Sequence, residues 1–591
     1  MRRLAPIAVG LATALVFSNA APSAAVHDDK FFVPSHYELN GESLRRMFRE
    51  DTWTSAGSFE GSYRPLLLLS LAVDRARFGD DPHGYHVTNV LLNAAAAILL
   101  YALILALLRR FSAANGSPAV VSRVHLLAAA GAALLFGVHP IHTEAVDSVF
   151  NRSEILGTVG IVSALLVILR WEARRPVLAW LSAAVIYLAA LLCRESAASL
   201  PALAALMLYL LYAGVGWRRV ARAVAPVATL LVPLGVYLTL RHSALTGGIS
   251  HAPSLSENVA PRIGMFGQLA LVVESLREYL RMVLWPHPLR ASYEDFRVTA
   301  LPISLVVLAV AMCLALALRR RAPLVTFGIG FFYLALLPSS RLVTASNLNL
   351  SLGGHTVFQP ANTLLVAERV VYTPSAGLLL AAAAGLAALA RRFGRGAAAA
   401  AALALCALLA SLTLRRNEQW HSETALWEAE TRVAPQNGDG WRLLVGAYLR
   451  QGRNEDIARA CDVQRDRHPK IAQLHNNCGI AYTALGRFKD AEASYRRAID
   501  LGLAAVAHAN LGRLLAQQGR VEEAEAEYAR AVAAETDPPR RHLRRAQLLM
   551  RFHPDRVAEE RQELEQALAI QPGYGPAVNL LRRIESSATT H

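Results

Sequence analysis

The chain has 591 residues, of which 54% are hydrophobic and 18% charged, against about a quarter charged in an ordinary soluble protein. Long apolar runs fill residues 85–415, whereas 416–591 is rich in Arg, Glu and Gln, so the composition excludes a wholly soluble protein and describes a polytopic membrane protein with a soluble C-terminal domain. The net charge of +15 sits largely in short Arg clusters at the ends of apolar runs, which is how a topology signal is distributed, and no nucleic-acid partner is expected.

A hydrocarbon core takes about 20 apolar residues per helix. The expected spans are 4–22, 87–108, 124–139, 154–170, 176–193, 198–216, 223–240, 298–318, 322–339, 375–390 and 396–414. Arg clusters at 2–3, 109–110, 174–175, 218–219, 319–321 and 391–392 fall at alternate ends of successive spans. One orientation satisfies all of them: N-terminus cytoplasmic, C-terminal domain outside the inner (plasma) membrane, periplasmic in a bacterium. Residues 262–289 carry Glu274, Arg277, Glu278 and Arg281 and read as an amphipathic or re-entrant helix on the outer side, which leaves about eleven spans. Large outward segments are then 23–86, 241–297 and 340–374. "MRRLAPIAVGLATALVFSNAAPSAA" reads either as a cleaved signal peptide or as the first span. Lysine occurs only at Lys30, Lys470 and Lys489 beside abundant Arg and Ala, a bias typical of a GC-rich bacterial genome. Cys193, Cys313 and Cys406 lie in apolar runs as packing residues, and no cysteine spacing resembles a zinc site.

Polar islands interrupt this pattern on the expected outer face. "HDDKFF" (27–32) puts Asp28 and Asp29 at the membrane surface, where a general base could meet a lipid-linked substrate and an aqueous acceptor; a solvated loop with a helix cap is the alternative. Arg64-Pro65 opens an amphipathic helix, and His86, Asn89 and Asn93 share one face of the next span. In "HPIHTEAVDSVFNRSE" (139–154), His139-Pro140 ends a helix, His142 and Glu144 follow in an exposed turn, and Arg152 and Glu154 open the next helix. Pro140 breaks the helical spacing that a preformed metal site of His139, His142 and Glu144 would use. A surface arginine such as Arg152 matches phosphate geometry, or else snorkels to the interface. Arg194-Glu195 in "LCRES", and Arg369 and Tyr372 in "AERVVYTPSAG", add charge at the same depth.

The C-terminal domain repeats. Gly479, Gly486, Ala491, Tyr495 and Ala498 recur thirty-three residues later as Gly512, Gly519, Ala524, Tyr528 and Ala531, and Trp441, Tyr448 and Gly452 carry the same frame earlier. This is the tetratricopeptide repeat (TPR) pattern, with small residues letting helices approach, aromatics filling the gap between repeats, and a degraded final unit at 541–572. Its groove binds peptides or serves purely as scaffold. Cys461 and Cys478 fall on neighbouring helices, which permits a disulfide outside the cell.

Taken in order, the acid pair, "SYRPL", "HPIHTEAVDSVFNRSEIL", "LCRES", "ERVVYTPSAG" and "RRNEQWHSETALWEAETRVAPQNGD" leading into TPRs resemble the transmembrane and TPR-containing O-mannosyltransferase family over nearly the whole chain. The resemblance implies an all-α fold: a polytopic GT-C glycosyltransferase domain over 1–415 and a TPR α-solenoid over 416–591. It also implies sugar transfer, typically mannose, from a polyprenyl-phosphate donor to Ser or Thr hydroxyls of exported proteins held by the TPR groove. The first helix is then retained, Asp28 or Asp29 is the base, and Arg152 and Arg369 hold the leaving phosphate. His139, His142 and Glu144 shape the site, with Arg64, His86, Glu154, Arg194, Glu195 and Tyr372 around it. No cofactor is implied beyond the donor, and a divalent metal is left open. Asn93 stands where the family commonly has a histidine. The rival readings are a non-catalytic membrane-anchored TPR scaffold and a GT-C enzyme acting on a lipid or glycan acceptor.

Overall fold

The computed structural model describes residues 4–33, 38–54, 61–114, 121–212, 217–246, 265–293, 295–340, 351–352, 355–356, 366–464, 467, 470–571 and 574–588. Arg2 and Arg3, and much of the expected outward segments 241–297 and 340–374, lie outside them. Among the described residues the backbone is helical apart from turns and a two-residue antiparallel pairing, Ser351–Leu352 with His355–Thr356. Two compact units result, Met1–Leu426 and Trp427–His591.

Among the described residues of the first unit seven helices are long and apolar enough to cross a membrane: Pro82–Ala113, Arg152–Trp171, Pro176–Cys193, Val220–Leu245, Leu301–Leu318, Glu368–Phe393 and Arg395–Gln419. A pair bent by 46°, Arg123–Gly137 with Pro140–Asp147, makes an eighth if it is one broken span. The chain is thus a multi-pass integral membrane protein by helix length and hydropathy, with seven or eight candidate spans rather than about eleven. The expected spans 4–22, 198–216 and 322–339 fall on shorter apolar helices, Leu4–Ala20, Glu195–Leu211 and Pro323–Ser339. Each contains a 3-10 turn at one end, Ser18–Ala20, Glu195–Ser199 or Leu337–Ser339, so the apolar run outlasts the α-helix within it. Met265–Leu284 is not among the candidate spans. Its Glu274 accepts hydrogen bonds from Ser304 (2.7 Å) and Arg277 (2.9 Å), and Arg281 pairs with Glu278 at 2.7 Å.

Residues 416–426, expected with the soluble domain, belong to the membrane unit. Asn417 accepts from the Thr143 hydroxyl at 3.1 Å and donates to Asn19 Oδ1 at 2.7 Å, His421 Nε2 meets the Asn19 carbonyl at 2.7 Å, and Lys30 pairs with Glu423 at 3.0 Å. These contacts tie the end of Arg395–Gln419 and the residues after it to the turn after the first helix and to Lys30, next to Asp29.

Helices Pro323–Leu336 and Tyr372–Phe393 pack backbone to backbone. A Cβ on Gly377 would lie 2.5 Å from the Gly328 carbonyl oxygen and 2.6 Å from the Phe332 nitrogen, atoms that cannot rotate away. Small residues are what permit such approach between membrane helices. Gly377→Ala is therefore expected to destabilise the purified protein by about 1–3 kcal/mol, the usual cost of overpacking. Gly385→Ala, on the same helix with open space at its Cβ, is expected to leave the thermal midpoint unchanged or raised.

The second unit stacks antiparallel helix pairs: Gly438–Arg450 with Asn454–Gln464, Ala472–Ala484 with Phe488–Asp500, Ala504–Gln517 with Val521–Ala534, and Pro538–Phe552 with Val557–Ile570. Gly486 and Gly519 close the first helix of their pairs at φ +72° and +78°, a conformation that L side chains rarely adopt. The aromatics fill space within a repeat as well as between repeats: a Cβ on Gly479 would strike the Tyr495 ring at 2.5 Å and one on Gly512 the Tyr528 ring at 2.7 Å, while Tyr528 also meets Phe552 of the next pair at 5.5 Å. Cys461 and Cys478 form a disulfide joining consecutive repeats across a separation of 17 residues. Closing a loop of that size stabilises by about 3 kcal/mol in the chain-entropy account. Reduction is expected to lower the unfolding midpoint of this unit, followed by circular dichroism, and Cys461→Ala is expected to abolish the dependence on reductant.

Candidate functional site

The two acids after the first helix have different surroundings. Asp29 opens the short helix Asp29–Phe32 and is fully buried. Its carboxylate accepts from the Ser148 hydroxyl (2.9 Å) and the backbone N–H groups of Val149 (2.8 Å) and Phe150 (2.9 Å). Phe32 stacks on Phe150 at 4.2 Å, and Trp53 meets both rings edge-on. Asp29 thus clamps the turn that leads into Arg152–Trp171. Burial pushes its carboxyl up to about 7, against the pull of the Phe150 and Val149 amides and the Ser148 hydroxyl.

Asp28 keeps about a quarter of its side chain exposed and pairs with His27 Nδ1 at 2.8 Å. His27 adopts φ +52°, a left-handed conformation that costs a non-glycine residue on the order of 1 kcal/mol or more, and this kink turns the acid outward. Burial opposes ionisation of Asp28, but His27, Arg369 and Lys30 outweigh it and hold its carboxyl below the ordinary range. Asp28 is therefore an ionised, accessible carboxylate in the field of Arg369.

Arginine–carboxylate pairs surround this point. Arg369 bonds Glu144 through its guanidinium and its backbone N–H (2.8 Å for the latter). Arg194 pairs with Glu154 at 2.6 Å, and Arg64 grips Glu195 at 3.0 and 2.6 Å. Glu154 lies in the field of Arg194, Arg64 and Arg369, so the helix openings at 64, 154, 194 and 369 converge on one end of the bundle. Arg194 Nε is buried with no hydrogen-bond partner among the described residues, and Arg369 and Glu195 remain partly exposed.

Arg152 has different surroundings from Arg369. Its side chain is fully buried, and its donors are spent on Asp74 (2.5 Å), Asn89 Oδ1 (2.6 Å), the Tyr85 carbonyl (3.0 Å) and Ser70 (3.3 Å to the carbonyl). Asn89 donates in turn to the carbonyls of Val146 and Ser148. This network locks the 146–152 turn against Pro65–Phe78 and Pro82–Ala114, and it leaves no guanidinium N–H for an incoming phosphate. Asp74 was not legible as a partner; the only signal is an acid inside the apolar helix "PLLLLSLAVDRARF".

The two histidines of the 139–142 turn bond to neighbouring helices. His139 Nε2 meets the Val283 carbonyl at 3.0 Å, and His142 Nε2 meets Ser375 Oγ at 2.9 Å with its ring between Phe136 and Tyr372, 4.4 Å from each. His142 and Glu144, expected in an exposed turn, are buried, because the bend at Pro140 folds the turn back into the bundle. Tyr372 donates to Asn93 Oδ1 at 2.7 Å, and His86 is wholly buried beside this face. A further pair that sequence reading passed over, Glu368 with Arg416 at 3.2 Å, joins the opening of Tyr372–Phe393 to the C-terminal end of Arg395–Gln419. Among the described residues no group of three His, Cys, Asp or Glu side chains is placed to hold a metal ion.

The tetratricopeptide repeat family model matches residues 478–540 and 510–575. Over 73% of its length the chain is 27% identical to the protein O-mannosyl-transferase TMTC4 of Mus musculus, and over 83% it is 26% identical to the protein O-mannosyl-transferase Tmtc3 of Drosophila melanogaster. The human protein O-mannosyl-transferase TMTC3 is 26% identical over 83% of the chain. The chain spans 62%, 58% and 54% of the lengths of these relatives, respectively. Over most of its length, then, this TPR-bearing membrane protein is a distant relative of the TMTC protein O-mannosyl-transferases.

Proposed function

We propose that the protein is a membrane glycosyltransferase of GT-C type. It moves a sugar, mannose in the first instance, from a polyprenyl-phosphate donor to Ser or Thr hydroxyls of exported proteins. The observation that carries this reading is the exposed, ionised Asp28 in the field of Arg369, at the end of the bundle where several helices open with charged residues. Asp28 takes the proton of the acceptor hydroxyl as that oxygen bonds to the anomeric carbon. The bond from that carbon to the phosphate oxygen breaks, and the lipid phosphate leaves with its electron pair. Arg369, with the unpartnered Nε of Arg194, stabilises the leaving charge, which is commonly among the largest catalytic terms. Asp29 and Arg152 are positioning residues in this reading: one clamps the 148–150 turn, the other anchors it to neighbouring helices. The TPR groove holds the acceptor. The Cys461–Cys478 disulfide and the alternating Arg clusters both support a TPR unit outside the cytoplasm, in an oxidising compartment.

The test is transfer of radiolabelled mannose from polyprenyl-phosphate mannose into secreted proteins by purified membranes. Label in protein with wild type and not with the Asp28→Asn variant is the expected result. Label in lipid or glycan alone would favour the other acceptor class. If a screen of polyprenyl-phosphate sugars yields no transfer at all, the scaffold reading stands instead.

A further inference from the structure

At the membrane end opposite the candidate site lies a second feature, unrelated to the transfer chemistry. Asn89 and Arg109 lie on one helix, about 20 residues or about 30 Å apart, and Arg152 and Arg170 are separated by a similar distance on another. The two helices, whose N-terminal ends lie at the site end of the bundle, therefore carry arginines to the far surface of the bilayer at their C-termini. Between those ends is a cavity of about 530 Å³ lined by Arg109, Arg110, Arg170 and Arg174, with Tyr101, Leu105 and Leu169 reaching down along its apolar side. No acid lines it. Glu172, the acid of the adjoining turn, is turned to the Tyr212 hydroxyl. Arg110 donates to the Leu169 carbonyl at 2.7 Å, which ties the two helix ends together and keeps the cavity's width fixed.

The charge balance decides what such a cavity can take. Each helix C-terminus contributes roughly half a negative charge, far less than four guanidinium groups supply. The result is a strongly cationic hollow of ligand size, open to one side and continuous with apolar helix surface. Trp171, exposed at the end of its helix, marks the depth of a membrane–water interface. A soluble anion would use the arginines alone. The apolar side along Leu105 and Leu169 adds a surface that only a ligand with a hydrocarbon tail can exploit.

We propose that this cavity is a binding site for an anionic phospholipid, its headgroup phosphate on Arg109, Arg110, Arg170 and Arg174 and an acyl chain along Leu105 and Leu169. Basic pockets between membrane helices are a recurrent way of holding such headgroups. The site lies in the leaflet opposite the transfer site.

The experiment uses the full chain, purified and delipidated in detergent, with binding followed by native mass spectrometry. Dioleoyl phosphatidylglycerol and dioleoyl phosphatidylcholine share tails and differ in charge. Wild type is expected to bind the first at least about tenfold more tightly, since each arginine near a phosphate contributes about 1 kcal/mol and 1.4 kcal/mol is tenfold. The Arg170→Gln/Arg174→Gln variant is expected to lose about tenfold or more of that preference with its phosphatidylcholine binding unchanged, and Arg170→Lys/Arg174→Lys is expected to retain most of it. Ala106→Trp, which fills the cavity without altering charge, is expected to lose the preference as well, and covers the case in which the Gln variant does not fold. Equal binding of the two lipids by wild type would overturn the proposal. So would displacement of phosphatidylglycerol by glycerol 3-phosphate at equal concentration, which would make the ligand a soluble phosphate.

Discussion

Replacing Asp28 by Asn is expected to lower transfer by two to four orders of magnitude, the range for loss of a positioned general base, with the thermal midpoint unchanged. The side chain is partly exposed, its volume is conserved, and its direct partner among the described residues is His27, so the fold has little to lose. Asp29→Asn is expected to behave differently. A carboxamide oxygen replaces a carboxylate that satisfies a hydroxyl and two backbone N–H groups in a fully buried setting, and unmet donors of that kind cost about 1–3 kcal/mol each. Stability and activity should fall together, and activity per folded molecule should fall much less than in Asp28→Asn.

The pH dependence separates the two acids independently. With Asp28 as base, facing His27, Arg369 and Lys30, the carboxylate stays ionised and the rate is expected to be flat from pH 8 down to about 5. With Asp29 as base, the rate would already have halved near pH 7. Asp29 makes its own prediction for stability. Its folded pKa is raised from 3.8 to about 7, so the folded state holds the proton more tightly than the unfolded chain. The corresponding stabilisation is complete below about pH 4 and is lost as pH rises through about 7. Acidifying from pH 8 to 5 should therefore raise the thermal midpoint of wild type, and Asp29→Asn should remove that part of the rise.

The second large effect is expected at Arg152 and Asp74. Removing one partner of a buried pair leaves an uncompensated charge and typically costs 3–5 kcal/mol, enough to abolish recovery of folded protein in size-exclusion chromatography. Arg152→Ala and Asp74→Ala should each show this. Replacing both partners together, Arg152→Met with Asp74→Leu, exchanges the pair for apolar packing of similar volume and is expected to restore most of the folded yield. The double variant also separates roles. Retained transfer would fit Arg152 as an anchor, whereas a folded but inactive double variant would return it to the donor phosphate. Arg369→Gln, by contrast, is expected to fold and to lose turnover, because part of its guanidinium is exposed and Glu144 keeps the Arg369 backbone N–H as a partner.

Several expectations depended only on local pattern, and those the residues themselves carried. The apolar runs locate the helices because a bilayer demands some 20 residues without charge, whatever lies beside them. The thirty-three-residue recurrence of Gly, Ala and Tyr locates the TPR pairs because each repeat solves the same packing problem with the same residues. Asp28, Arg64, Glu154, Arg194 and Arg369 stood out as charges at the edges of apolar runs, and the fold brings those edges to one end of the bundle.

What the pattern could not carry was partnership. Arg152 and Arg369 look alike in one dimension: each is an arginine opening a helix. Only the approach of Pro65–Phe78 delivers Asp74 and Ser70 to Arg152 and spends its donors, while Arg369 keeps an exposed side toward Asp28. Asp28 and Asp29 are neighbours of identical chemistry, and the left-handed turn at His27 sends one to solvent and the other under the 148–150 turn. The bend at Pro140, which the sequence announced, buried His142 and Glu144 instead of exposing them, because Tyr372 and Arg369 arrive from a distant segment to cover the turn that Phe136 already flanks. Helix formation is set largely by the residues of one segment, so sequence alone located the apolar helices here, though not how many of them are long enough to span. Whether a charge is free to act depends on groups tens to hundreds of residues away, and that was decided only when the helices packed.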